Sequence, residues 1–213
     1  MQRIIRILFL LFFIVSYCFF CRGVWENRKH VRDSAPAPYV IPSKFSRMLA
    51  LGYKGPLSDF LFLKISTFIG GRNISGKQMA DHDWAYVVSG LSVVTDLDPY
   101  FVDPYFLAEG LLAWEANKPE QANDLLIKGM ESRKFDWRLP YFVGFNYFYF
   151  LKDYSRASEY IMQAASLSGS PNYLQTLAAR LAYYGGRSKT ALLFLKEMLL
   201  EARDPLLKQR LQT

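Results

Sequence analysis

The sequence predicts an all-α fold: a solenoid of helical hairpins preceded by an apolar N-terminal segment. Three observations carry this reading. Prolines recur at Pro104, Pro140, Pro171 and Pro205, spaced 36, 31 and 34 residues apart. Alanines that open a second amphipathic run recur at Ala122, Ala157 and Ala191, 35 and 34 residues apart. Between each proline and its alanine stands a polar break: "NKPEQ", "LKDYS" or "YGGRS". Proline suits the first turn of a helix, where an N–H has no intrahelical acceptor to lose. Two helices per period of about 34 residues mark a helical solenoid.

The first element is "MQRIIRILFLLFFIVSYCFFCRG". Ile7 to Cys21 carry no charge, and Arg3 and Arg6 precede them. A bilayer span needs about 17–25 apolar residues, and residues 4–21 supply eighteen once Arg6 snorkels to the headgroups. An uncleaved transmembrane or signal-anchor helix over residues 1–22 is therefore expected. A cleaved signal peptide is the alternative, with Ser16-Tyr17-Cys18 as its weak cleavage match. Lipid attachment is disfavoured because Tyr17 and Phe20 precede the two cysteines. Both cysteines lie in this segment, so the rest of the chain has no disulfide or thiolate metal site.

Residues 23–44 form a basic, then proline-rich spacer. Residues 1–45 hold seven Lys/Arg against two Asp/Glu, most of the chain's net charge of +7. That basic character sits beside the apolar run, which points to a membrane and not to nucleic acid. The short basic tail before the run favours an exported domain; Arg22, Arg28, Lys29 and Arg32 after it favour the cytoplasmic side. A periplasmic or otherwise extracytoplasmic domain is the preferred orientation. "VRDSAPAPYVIP" reads as an extended spacer, because proline fixes φ and removes donors.

Residues 45–99 form a helical N-terminal part. A helix starts near Pro56, shows Leu57, Phe60, Leu61, Ile65 and Phe68 at helical spacing, and is expected to end at Gly70-Gly71. A second helix is expected from about Gly76 to Thr95, with Trp84, Val87, Val88, Leu91 and Val94 as its apolar stripe. "DLDP" stops it, since the residue before proline is pushed out of the helical region.

Residues 100–213 hold the repeats. Ala122, Leu126 and Gly129 stand in the second helix of the first unit, Ala157, Ile161 and Ala164 in that of the second, and Ala191, Leu195 and Met198 in that of the third. On these positions the chain resembles the tetratricopeptide repeat (TPR) family, and within it bacterial membrane-anchored TPR proteins. The resemblance covers about Asp103 to Pro205. The family's small residue in the first helix falls at Gly110 and Ala179, with Phe145 and its neighbour Gly144 in the middle unit. Its tryptophan is replaced by Phe106, Tyr141 and Gln175.

Catalytic material is scarce. Of the two histidines, His82 in "ADHDWAY" has no second histidine to complete a metal site, and adjacent helical residues point in different directions. No phosphate loop has the needed spacing, and Asp96, Asp98 and Asp103 read as helix caps. No enzymatic activity, metal or small-molecule cofactor is expected.

The resemblance implies a concave groove lined by the first helix of each unit. Carried over residue by residue, its lining falls at Leu107, Leu111 and Trp114, then Phe142, Asn146 and Tyr149, then Thr176, Arg180 and Tyr183. Trp114, Phe142, Tyr149 and Tyr183 offer aromatic anchors. Asn146 and Arg180, an amide and a guanidinium on neighbouring helices, are expected to hold a carboxylate or peptide backbone. The expected function is a membrane-tethered scaffold for a protein or peptide partner, in envelope assembly, secretion or polysaccharide export. A permanently packed accessory subunit of a membrane enzyme or transporter is the alternative.

Overall fold

The computed structural model describes residues 9, 12–26, 39–76, 78–186 and 192, and among these it is all-helical. Residues 12–26 form α1, with Phe12, Phe13, Phe19 and Phe20 exposed. Among the described residues no helix is long and apolar enough to cross a membrane. The expected span over residues 4–21 lies partly outside them. The second helix of the third repeat, from Ala191, and the segment from Pro205 lie outside them too, Leu192 excepted.

α2 (Ser43–Leu49) leads through a tight turn into α3 (Lys54–Ile74). α3 runs through Gly70-Gly71, where a stop was expected. Each glycine costs a helix only about 1 kcal/mol relative to alanine, and the chain turns instead at Gly76, with φ +64°. α4 (Asp81–Leu97) consequently starts later than the expected Gly76. Asp83 decides that start: its carboxylate accepts from the Ala80 N–H at 3.0 Å and from Arg72 Nη2 at 2.8 Å. The part-buried Arg72–Asp83 pair ties α3 to α4, and the Ser58 hydroxyl adds a second tie by donating to the Val94 carbonyl at 3.1 Å. Asp98 ends α4 in extended backbone ahead of Pro99, as expected.

Among the described residues two further hairpins and the first helix of a third unit follow. α5 (Asp103–Ala108) continues into a π-helix (Glu109–Glu115), and α6 (Pro119–Ser132) packs back on both. α7 (Arg138–Tyr149) and α8 (Tyr154–Ser166) form the next pair, with α9 (Tyr173–Tyr184) stacked on α8. The turn after each first helix places one residue in the left-handed region: Asn117, Lys152 and Gly186, 35 and 34 residues apart.

The core runs as a chain of buried clusters between successive helices. Ile65, Val87, Leu91, Val94 and Leu112 join α3, α4 and the π-helix. Tyr105, Leu126, Leu139 and Val143 join α5, α6 and α7. Ala157, Ile161, Leu174, Ala178 and Leu181 join α8 and α9. The buried Tyr105 donates its hydroxyl to the Pro99 carbonyl at 3.1 Å, and burial pushes its pKa up to about 12.

The close approaches differ from those expected. Gly110 is exposed, with open space where a Cβ would stand. Gly144 is the tight position of its hairpin: a Cβ there would lie 2.7 Å from Ile161 Cγ1 and 3.1 Å from the Ala157 carbonyl oxygen. In the 35-residue register that equates Ala122 with Ala157, the partner of Gly144 is Glu109, not Gly110. The π-helix widens the turn there, and a buried carboxylate stands where the next unit has no side chain.

Candidate functional site

Two arrangements on the first helices of the repeats stand out, one exposed and aromatic, the other buried and polar. Trp114, on the π-helix, is 54% exposed. Its indole stacks on Tyr149 at 5.4 Å and 28°, and on Phe145 at 6.0 Å and 24°. Phe145 and Tyr149, four residues apart on α7, stack on each other at 5.5 Å and 12°. Phe150 meets Trp114 edge-on at 5.1 Å, and Lys152 Nζ lies 5.2 Å from the Tyr149 ring centroid. Offset stacks and edge contacts suit the ring quadrupole, and an ammonium over the face adds a cation–π attraction.

The rings continue across the units. Phe145 meets Phe148 at 6.5 Å, Phe148 meets Tyr154 at 6.0 Å, Tyr154 meets Tyr184 at 6.3 Å and Tyr184 meets Tyr183 at 5.8 Å. A chain of ring contacts thus runs from the first unit to the third, and Tyr183 at its far end is 65% exposed. Three predicted groove residues, Trp114, Tyr149 and Tyr183, lie on it. Phe142, half-buried, joins it through Tyr141, whose ring lies 5.4 Å from Phe142 and 6.3 Å from Phe145; on its other side Phe106 lies at 5.6 Å, with the Arg138 guanidinium 4.9 Å from the Phe106 centroid.

The predicted polar pair is not brought together. Arg180 is exposed on α9, whereas Asn146 is 0% exposed and makes its contacts with other residues. Its Nδ2 donates to Glu109 Oε2 at 2.6 Å and to Asn123 Oδ1 at 3.0 Å. A partner resting on a groove surface has no access to it. The reason lies in the helix geometry: Asn146 follows Val143 by three residues on the side of α7 that meets α6, and Val143 is buried as well.

Glu109, Asn123 and Asn146 form a three-helix polar cluster, each of them at least nine-tenths buried. Burial pushes the Glu109 carboxyl up to about 7, while the hydrogen bond from Asn146 pulls the other way. Glu109 Oε1, Asn123 Nδ2 and Asn146 Oδ1 have no hydrogen-bond partner among the described residues. These atoms comprise two oxygens and one amide donor, an arrangement suited to a neutral carboxylic acid that holds its proton internally. The 35-residue register was the signal that could have located Glu109, since it sets a charged residue at the Gly144 position. The pairing of Asn123 with Asn146 has no signature in the sequence.

The acids of the "DLDP" region are engaged structurally. Asp96 pairs with Lys128 at 2.9 Å and with Arg47 at 3.5 Å, which holds its carboxyl below the usual range despite partial burial. Asp98 accepts from the Tyr100 N–H at 3.0 Å. His82 Nε2 lies 3.4 Å from Asp83, whose carboxylate is already taken by Arg72. Among the described residues no three His, Cys, Asp or Glu side chains are placed to hold a metal ion. Compared with models of known protein families, with curated proteins and with solved structures, the chain matches none.

Proposed function

We propose that this chain is a non-catalytic, membrane-tethered scaffold whose TPR-like hairpins bind a protein or peptide partner. The observation that carries the proposal is the half-exposed stack of Trp114, Phe145 and Tyr149, extended by ring contacts to Tyr183. Large aromatics held rigid by their neighbours lose little entropy on binding, and Trp and Tyr are the residue types that dominate interface energetics. Lys152 places a cation beside Tyr149, and Arg180 is exposed on α9, which suits a partner segment carrying aromatic or apolar anchors and a carboxylate.

Residues 4–21 tether the scaffold, and the domain lies on the extracytoplasmic side. A reporter fused after Thr213 tests that orientation.

The partner test is in-cell crosslinking of the full chain against a Trp114→Ala/Tyr149→Ala/Tyr183→Ala variant at equal expression. Loss of one or more crosslinked partners from the variant is expected. An identical partner set would remove the aromatic surface from the binding role.

A further inference from the structure

Away from the repeats, α2, the following turn and the first half of α3 expose an unusual set of side chains. Phe45, Met48, Leu51, Tyr53, Phe60 and Leu63 are all more than half exposed. Lys44, Arg47, Lys54 and Lys64 are exposed among them. Leu51, at the tip of the turn, is 84% exposed with φ +46°. A non-glycine residue in the left-handed region is uncommon.

Charge is partitioned in the same direction. Residues 1–80 hold twelve Lys/Arg against three Asp/Glu, whereas residues 81–213 hold fourteen against sixteen. Asp59 is the one carboxylate between residues 34 and 80. Sixteen residues lie between residue 26, the last described in α1, and Ser43. Fully extended, a chain of that length spans at most about 55 Å.

We infer that the α2–α3 surface is a second membrane contact, seating the domain on an anionic bilayer face through its apolar side chains and ringing lysines. Exposed Phe, Leu, Met and Tyr enter the headgroup–acyl boundary, while lysines beside them stay at the level of the anionic headgroups. Such a seat holds α2 and α3 against the lipid and fixes how the domain is presented. The inference rests on the tethering reading for its leash, but the surface itself stands on the exposed residues of α2 and α3.

The test uses the full chain with Cys18→Ser and Cys21→Ser, reconstituted into vesicles of phosphatidylcholine with about a third phosphatidylglycerol. Single cysteines carrying an environment-sensitive fluorophore are placed by Met48→Cys, Leu63→Cys, Phe12→Cys and Phe135→Cys. Phe135, 88% exposed between α6 and α7, is the remote control. Lipids brominated on their acyl chains should quench positions 48 and 63 several-fold more than position 135. Lys44→Ser/Lys54→Ser/Lys64→Ser should reduce that quenching at least two-fold. Equal quenching at 48, 63 and 135 overturns the surface, whatever position 12 does. Quenching at 12 alone leaves the tether standing without the seat; quenching at 48 and 63 without 12 leaves the seat without the tether. If positions 48 and 63 are shielded from a water-soluble quencher in native membranes but untouched by brominated lipid, the occupant is a protein and the proposal falls.

Discussion

Glu109 and Asn146, 37 residues apart in the chain, meet at 2.6 Å inside the packing of the π-helix against α7. The contact joins the first helices of two successive hairpins through a buried carboxyl, with Asn123 of α6 as the third member. The sequence reading set Asn146 on an exposed groove. In the fold it is a cross-brace.

This contact predicts an inverted pH dependence. Burial holds the Glu109 carboxyl at about 7, whereas an unfolded glutamate ionises near 4.3. Between these values the folded state carries the extra proton, so stability falls as pH rises, and above about 7 the penalty is complete. Its size is about 3–4 kcal/mol. Glu109→Gln, which keeps an acceptor for Asn146, should flatten that fall and be more stable than wild type at pH 8. Urea midpoints from pH 5 to 8 measure it; parallel profiles for the two proteins would count against a buried acid.

Asn146→Ala removes the shared donor and leaves Glu109 and Asn123 buried without it. A loss of about 1–3 kcal/mol is expected for stranded buried polar groups. In a double-mutant cycle with Glu109→Gln, the coupling should exceed about 0.5 kcal/mol, because the residues touch. Strict additivity would place Asn146 outside the cluster.

Gly144 and Gly110 should respond in opposite ways to alanine. At Gly144 the new methyl would press Ile161 and the Ala157 carbonyl, so about 1–3 kcal/mol should be lost to overpacking. At Gly110 the space is open, and alanine's better helix propensity makes the change neutral or stabilising by up to about 1 kcal/mol. Thermal unfolding of both variants decides it. Equal destabilisation would return Gly110 to the packing position expected from the sequence.

Asp136 titrates in a different window. Arg138 donates to both of its oxygens at 2.8 Å and Arg133 Nη2 donates at 3.0 Å, and together these bonds hold the carboxyl down at about 2. This depressed acid contributes stability above about pH 4 that is lost as pH falls toward 2. Asp136→Asn should cost about 1–2 kcal/mol at pH 7 and progressively less below pH 4. Arg133 also donates to the Tyr100 carbonyl at 2.6 Å. Chymotrypsin cleavage near Tyr100 should therefore accelerate in the variant; an unchanged rate would separate the clamp from that loop.

The sequence by itself determined the helical class and the places where the chain turns after Asp98 and at the polar breaks. Those features are local: proline at a first turn, an acid before proline, and residues able to take positive φ at Asn117, Lys152 and Gly186 all act within a few neighbours. It also supplied three of the rings on the aromatic surface, because Trp114, Tyr149 and Tyr183 share one helical face position. The tertiary structure decided which side chains are reachable. In the 35-residue register Glu109 stands at the Gly144 position, and Glu109, not Gly110, is the residue that turns inward. Asn146 was assigned to the groove by spacing alone, but burial depends on what packs across from a residue, and α6 stands there. Periodicity specifies a face of a helix; only the neighbouring helices determine whether that face meets solvent or a carboxylate 37 residues away.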